Sequence, residues 1–128
     1  MRSYQYLLKN TDIYLVDTYG ETENFFKSCK TVFLGGSLIR HGGQNPLEPT
    51  RLGCKVIHGP HIDNFKEIYK LLDKKNIAVE VNNLAQLSSK VSIILKKKIN
   101  ISNLINELKK LGNKILYSTI IEIKKFIN

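Results

Sequence analysis

The residues of this chain that could most readily do chemistry lie in one glycine-rich segment. Two glycine pairs, at 35–36 and 42–43, follow the apolar run 31–34 and precede a helix-start signal at Asn45-Pro46. Glycine lets the backbone approach a ligand closely, and unpaired N–H groups beside a helix N-terminus bind anions, most often phosphate. The segment therefore predicts a nucleotide or sugar-nucleotide site, with two tight turns as the alternative explanation.

Two side chains in this segment have candidate roles of their own. Ser37 could add a hydroxyl donor to a phosphate. Glu48, three residues after Asn45, could accept hydrogen bonds from the two ribose hydroxyls of a nucleotide, or it could return to the Asn45 backbone as half of a capping box. The GxGxxG and GxxxxGK[ST] patterns are absent, so we expect neither a dinucleotide nor a nucleoside triphosphate.

Other polar residues give weaker signals. Thr18 and Glu21 have the spacing of a capping box that opens a helix toward the same crevice. His58 and His61 resemble a pair of metal ligands, but Gly59-Pro60 between them predicts a turn and not a helix. We therefore expect His61 to line a pocket or to pack in the turn, and we expect no metal. Arg40 and His41, between the glycine pairs, could lie near the carboxylate or phosphate of a ligand, but exposed basic loop residues are usually only solvated.

Four motifs, taken together in order and spacing, resemble the C-terminal half of the bacterial 3-deoxy-D-manno-octulosonic acid (Kdo) transferases. The similarity runs from about Arg2-Ser3 to about Leu95, and Tyr19, Gln44 and Asp63 depart from the residues common in that family. The motifs are Asp17-Thr18-Tyr19-Gly20-Glu21, Gly35-Gly36-Ser37-Leu38, Gly42-Gly43-Gln44-Asn45-Pro46-Leu47-Glu48, and Gly59-Pro60-His61 with Asn64-Phe65-Lys66-Glu67-Ile68.

The resemblance implies a donor-binding half that holds CMP-Kdo, without a cofactor or a metal ion. It suggests ribose binding by Glu48 and a nucleotide site lined by the following residues: Thr18, Gly20, Glu21, Gly35, Gly36, Ser37, Gly42, Gly43, Gln44, Asn45, Glu48 and His61. No carboxylate pair or Ser/His/Asp set in the chain has catalytic spacing. In the family, the catalytic carboxylate, the acceptor site and the membrane anchor belong to the N-terminal half, so we expect this chain to start after them and to be inactive alone.

The intact enzyme that the chain resembles transfers Kdo to the lipid A precursor, lipid IVA, at the cytoplasmic face of the inner membrane. Two alternatives stay open. One is the donor half of another glycosyltransferase of the same two-domain (GT-B) architecture that uses a UDP-sugar. The other is a basic module without activity that binds acidic lipid through residues 64–128. Nucleic acid is not expected as a partner, because no aromatic–basic interleaving accompanies the charge.

The elements that must position these residues alternate between strand and helix. Strands are predicted at 12–16, 31–34, 55–58 and 77–81. Helices are predicted from Thr18 to about Cys29, from Pro46 to Gly53 with Asn45 as the cap, and from Phe65 to Lys75 with Asn64 as the cap. Another helix, capped by Asn83 and Gln86, is predicted to reach Leu95. A further helix is predicted from Ser102 onward, broken near Gly112-Asn113. Such alternation predicts an α/β fold, a Rossmann-like parallel sheet with helices on both faces. We expect one domain, residues 1–128, with ligands bound beyond the carboxyl ends of the strands.

Composition is consistent with one globular domain. Of 128 residues, 42% are hydrophobic and 24% are charged, and the net charge is +9. Residues 1–63 contribute +1 and residues 64–128 contribute +8, so the basic surplus lies away from the glycine segment. The two cysteines form no CxxC pair and are expected to be reduced. Without a secretory signal or an 18-residue apolar run, the chain is expected to be soluble, as a peripheral part of a membrane-associated enzyme.

Overall fold

A computed structural model of the protein describes residues 12–96 and 101–127. The start of the similarity at Arg2-Ser3 lies outside these residues, as do Lys97 and Lys98 of the basic surplus. The elements follow in this order: α1 Thr22–Ser28, β1 Thr31–Phe33, α2 Leu47–Arg51, β2 Lys55–His58, a 3-10 turn Asp63–Phe65, α3 Lys66–Lys74, β3 Ala78–Glu80, α4 Leu84–Lys96 and α5 Ile101–Ile127.

The three strands form one parallel sheet in the order β1-β2-β3. Val32 pairs with Val56 in the register of β1 and β2, and Val56 pairs with Ala78 in that of β2 and β3. The predicted parallel α/β fold is therefore confirmed. Because β1 and β2 run side by side in one direction, the loops after both strands meet at the same edge of the sheet.

Helices cover both faces of the sheet. Alternate residues of β2 point to opposite faces: Val56 packs with Tyr69 and Leu72 of α3, and Ile57 packs with Ile94 of α4. All of these side chains except Ile94, which is 7% exposed, are essentially inaccessible to solvent. At about 1.5–3 kcal/mol for each large apolar side chain that is fully buried, these two clusters provide much of the force that holds the helices on the sheet.

The strand predicted at Asp12–Val16 is wrong. The segment is irregular, and Ile13 and Leu15 are 88% and 84% exposed. In the described part of the chain, no strand pairs with this segment. A short apolar run was the whole basis of the prediction, and such a run forms a strand only where a neighbouring strand can satisfy its backbone.

Two helices begin at residues other than the predicted ones. Helix α1 begins at Thr22 instead of Thr18: the Thr18 hydroxyl donates to the Glu21 carboxylate, and among the described residues it accepts from no helix N–H. Asn64 lies inside the 3-10 turn, and the cap of α3 is Phe65 without a side-chain hydrogen bond. Local spacing does not reveal such competing partners.

Two predicted cap residues form a hydrogen bond at the start of a helix. The N-cap of α2 is Pro46 and not the predicted Asn45, so the helix begins one residue later than predicted, but the Asn45 side-chain oxygen still accepts from the Leu47 N–H at 3.0 Å. Asn83 accepts from the Gln86 N–H at 2.9 Å, and Gln86 returns to the Asn82 N–H at 2.8 Å. Both helices thus start where short polar side chains satisfy N–H groups that have no partner inside the helix.

The break predicted near Gly112 is also wrong, since α5 runs continuously for 27 residues. A single glycine costs a helix roughly 1 kcal/mol relative to alanine and does not end it without a second signal. A Cβ at Gly112 would have no heavy atom within 4 Å. We therefore expect Gly112→Ala to raise the free energy of unfolding by up to about 1 kcal/mol, measured by urea denaturation. A loss of stability would contradict the continuous helix.

Two further features bear on the sequence predictions. In the two ranges described, no helix is long and apolar enough to cross a membrane. Both cysteines are free thiols. Burial, and secondarily the neighbouring Cys29, raises the pKa of the Cys54 thiol to about 11, so Cys54 is a neutral, buried side chain at ordinary pH.

Candidate nucleotide-binding site

The candidate site lies at the carboxyl edge of the sheet, where the loops after β1 and β2 meet. His61 donates its N–H to the Ser37 carbonyl oxygen at 2.9 Å, which joins the two loops directly. Helix α2 begins at the end of the first loop. The predicted residues of the glycine segment and His61 are thus brought together at one edge.

The loop between β1 and α2, residues 34–46, is called the glycine loop. Its second glycine pair turns it back on itself. Gly42 and Gly43 have φ of +86° and +73°, which side chains of L-residues rarely adopt. The Gly43 N–H then donates to the Gly36 carbonyl oxygen at 3.3 Å, and Gly43 is buried. A Cβ on Gly43 would lie 3.1 Å from the His61 carbonyl oxygen, so the two loops pack backbone against backbone.

Gly59, the first residue after β2, forms the tightest contact of the site. A Cβ at this position would overlap the carbonyl group of Ser37 and would lie 2.6 Å from the Leu38 nitrogen. Gly59 also donates its N–H to the Ser37 side-chain oxygen at 2.8 Å. Ser37 and Leu38 of the glycine loop therefore pack against a residue that can have no side chain.

The Ser37 hydroxyl is used within the fold. Ser37 is 0% exposed, and its hydroxyl donates to the Leu34 carbonyl oxygen at 2.6 Å while accepting from Gly59. In this structure the buried hydroxyl cannot contact a phosphate, so it does not have the donor role that the sequence suggested. Ser37 instead joins the ends of two neighbouring strands.

Backbone N–H groups of the glycine loop remain available for an anion. In the described part of the chain, the N–H groups of Gly35, Gly36 and Gly42 have no hydrogen-bond acceptor. Gly35 is exposed, and Gly36 and Gly42 are partly exposed. Three unpaired donors on one loop can replace part of the hydration shell of a phosphate group.

The start of α2 offers fewer donors than its sequence suggested. Pro46 and Pro49 have no N–H, and the Leu47 N–H is bound to the Asn45 side chain. The Glu48 N–H is left, since no acceptor for it is found among the described residues. The helix has only five residues, so its dipole is small and the glycine backbone would carry most of the anion binding.

Glu48 is exposed on the first turn of α2. The capping-box alternative is not present: α2 has no side-chain cap hydrogen bond at its N-cap, and within the described ranges the Glu48 carboxylate has no protein partner. A free carboxylate one turn from the glycine loop could accept two hydrogen bonds from a ligand diol.

The turn at Thr18, Gly20 and Glu21 has no hydrogen bond to the glycine loop among the described residues. Thr18 and Gly20 are exposed, and Thr18 is bonded to Glu21. The role of these three residues in the site stays a prediction.

The remaining predicted residues lie around the loop. Gln44 and Asn45 are exposed, and His61 is partly exposed. Of the two basic residues set aside earlier, His41 covers Gly36, where a Cβ would lie 3.2 Å from the imidazole Cδ2. The metal pattern at His58 and His61 receives no support: His58 is 0% exposed, and the described residues contain no group of three His, Cys, Asp or Glu side chains that could hold a metal ion.

Three residues that shape the site were not predicted as site residues. Gly59 supports Ser37. Asn64, predicted only as a helix cap, lies beside the loop, since a Cβ on Gly42 would be 2.5 Å from its side-chain nitrogen. Tyr69 of α3 donates its hydroxyl to the Gln44 carbonyl oxygen at 2.9 Å. The glycine directly after a strand was a usable signal for the first, but no local pattern places the other two in the site.

Comparison with known proteins yields several relatives of one kind. No family model matches the chain. The chain is 40% identical over 91 residues to the 3-deoxy-D-manno-octulosonic acid transferase of Haemophilus influenzae, a match that covers 70% of this chain and 21% of that protein. It is 33% identical over 100 residues to the transferase of the same name from Aquifex aeolicus, covering 77% of this chain and 28% of that protein.

A solved structure is similar in both sequence and fold. The structure is that of the C-terminal CMP-Kdo binding domain of WaaA from Acinetobacter baumannii, with a TM-score of 0.68 and 28% identity. The match covers 78% of this chain and 52% of that chain. The chain spans between about a fifth and about a quarter of the length of the curated relatives given above.

Proposed function

We propose that this chain is the part of a 3-deoxy-D-manno-octulosonic acid transferase that binds the nucleotide-activated sugar. The proposal is supported by its similarity to transferases of that name and to a solved C-terminal CMP-Kdo binding domain. The observation that carries the proposal is the glycine loop. Its unpaired N–H groups at Gly35, Gly36 and Gly42 face no protein acceptor in the described chain, and the free carboxylate of Glu48 follows them on α2. Backbone donors suit the phosphate, and the carboxylate suits the ribose.

The donor proposed for this chain is CMP-Kdo. When the bond between Kdo and CMP breaks, negative charge grows on the phosphate that leaves. Backbone N–H groups held in place by the fold stabilise that charge without reorganising, which is an electrostatic contribution to the reaction rate. Glu48 would fix the ribose from the adjoining helix, so the same two elements would set the orientation of the donor. No cofactor or metal ion is part of this proposal.

The rest of the reaction is proposed for the intact enzyme. Kdo would pass to the lipid A precursor by direct displacement at the anomeric carbon, at the cytoplasmic face of the inner membrane. The acceptor site and the catalytic carboxylate would come from the part of the relatives that this chain does not span. We therefore assign no catalytic residue to residues 1–128 and expect the purified chain to form no product from CMP-Kdo and lipid acceptor.

The proposal is tested by equilibrium binding. Isothermal titration calorimetry of the chain with CMP, UMP and UDP should give saturable binding of CMP and weaker binding of both uridine nucleotides. Tighter binding of UDP than of CMP would favour a donor half that uses a UDP-sugar. Absence of binding by all three nucleotides, with the chain shown to be folded by circular dichroism, would contradict a preformed donor site.

One observation favours the second candidate, a basic module that binds acidic lipid. The C-terminal half of α5 exposes apolar residues, among them Ile123 at 52% and Phe126 at 88%, beside Lys124 and Lys125. Apolar and basic residues on one exposed helix are typical of membrane-surface helices. Under this alternative, the chain would sediment with phosphatidylglycerol vesicles in a salt-sensitive manner, and CMP would bind neither the free nor the sedimented chain.

A further inference from the structure

The glycine loop is tied to helix α3 by one buried side chain. Tyr69 is 0% exposed and donates its hydroxyl to the Gln44 carbonyl oxygen at 2.9 Å. Gln44 lies between the buried turn at Gly43 and Asn45, whose side chain bonds to the start of α2. The hydrogen bond therefore holds the point at which the loop leaves the sheet edge and enters α2.

A second buried residue fixes the position of the Tyr69 ring. The rings of His58 and Tyr69 are 4.2 Å apart between centroids, at an angle of 47°. His58 donates from Nδ1 to the Gly59 carbonyl oxygen at 2.8 Å, and its Nε2 lies 3.3 Å from Asp73 Oδ1 on α3. Held by the Nδ1 hydrogen bond and without exposed surface, the imidazole has little freedom to turn.

These contacts form a continuous connection from Ser37 to Gln44 of the glycine loop. Gly59, which supports Ser37, is held by His58; His58 packs on Tyr69; and Tyr69 holds Gln44. Burial and the negative charge of Asp73 raise the pKa of Tyr69 to about 12, so its hydroxyl remains a donor throughout the ordinary pH range. Ser37 and Gln44 of the glycine loop are thus both held in place through the buried pair His58 and Tyr69.

We propose that Tyr69 is a positioning residue of the donor site: by holding the Gln44 carbonyl, it sets the distance between the anion-binding backbone of the glycine loop and the carboxylate of Glu48. The inference rests on the proposed donor function. A nucleotide spans a phosphate and a ribose whose separation is fixed by covalent bonds. A loop free to move at Gln44 would satisfy one of these groups at a time, and affinity would fall although Tyr69 touches no ligand.

The test is Tyr69→Phe, which removes the hydroxyl and keeps the buried ring. A net contribution of about 0.5–1.5 kcal/mol for such a bond corresponds to a loss of CMP affinity of about 2- to 10-fold. In the ligand-free variant, the amide NMR signals of Gly43, Gln44 and Asn45 should shift. The matched control is Leu87→Ala on α4, which loosens the core on the opposite face of the sheet and should leave CMP affinity unchanged.

Each outcome decides a separate point. Wild-type affinity for CMP in Tyr69→Phe would overturn the positioning role, and so would an equal loss in Leu87→Ala, because it would show a general effect of lower stability. Failure of the wild-type chain to bind CMP would overturn the proposed function. In that case the ligand-free spectra still test the anchoring, and unshifted signals at residues 43–45 of Tyr69→Phe would overturn it.

Discussion

Replacing Gly59 by alanine is expected to destabilise the domain by about 3 kcal/mol or more, at the upper end of the range for overpacking a well-packed core. The added Cβ would overlap the Ser37 carbonyl group and lie 2.6 Å from the Leu38 nitrogen. Both contacts are with backbone, which cannot move aside as a flexible side chain would. Relief by backbone motion would break the bonds from Gly59 N–H to Ser37 Oγ and from His61 N–H to Ser37 O.

Urea denaturation of the purified variant measures this effect. The matched control is Gly112→Ala, the same substitution at a position where a Cβ has open space, and it should be neutral or stabilising. The loss should be large relative to the ~5–15 kcal/mol that holds a typical domain folded. A loss of less than about 0.5 kcal/mol for Gly59→Ala, the range of an ordinary surface change, would mean that the two loops are not packed as described.

Replacing Glu48 by alanine is expected to weaken CMP binding by about 100-fold or more while leaving the fold intact. Hydrogen bonds to a charged group are worth about 1.5–3 kcal/mol, and the carboxylate would make two of them to the ribose. Glu48 is exposed and has no protein partner in the described chain, so its removal should change the free energy of unfolding by no more than about 0.5 kcal/mol.

The control for Glu48→Ala is Glu122→Ala, which makes the same change in charge on α5. Glu122 is paired with Lys125 at an exposed position and belongs to no part of the candidate site. Calorimetry should find wild-type CMP affinity in that variant. Equal weakening in both variants would point to the overall charge as the cause, and unchanged affinity in Glu48→Ala would remove the ribose role.

Local and periodic features of the structure were predictable from the sequence. The strand Lys55–His58 matches its predicted limits, because an apolar run bounded by turn residues is unambiguous where flanking helices alternate with it. The cap at Asn83 also matches, and Asn45 bonds to the start of α2 from one residue before its N-cap, since each contact depends on residues within three positions. The carboxyl edge of a parallel sheet followed from these elements, and with it the location of the candidate site.

What the sequence could not supply is contact between distant residues. Ser37 and Gly59 are separated by 22 positions, and Gln44 and Tyr69 by 25, and neither pair has a recognisable spacing. The role of Ser37 was misassigned for this reason, since its neighbours in sequence suggested a ligand while its partner lies on the next loop. The apolar run at Asp12–Val16 failed as a strand for the same reason, because pairing depends on a distant neighbour.

Whether residues 35–48 bind the nucleotide of CMP-Kdo can be tested by an amide NMR titration of the chain with CMP, with UMP as control. We expect saturable, CMP-selective shifts at Gly35, Gly36, Gly42 and Glu48, with the C-terminal half of α5 unaffected. A well-dispersed spectrum that responds to neither nucleotide, or CMP shifts that cluster on α5, would contradict the proposed site.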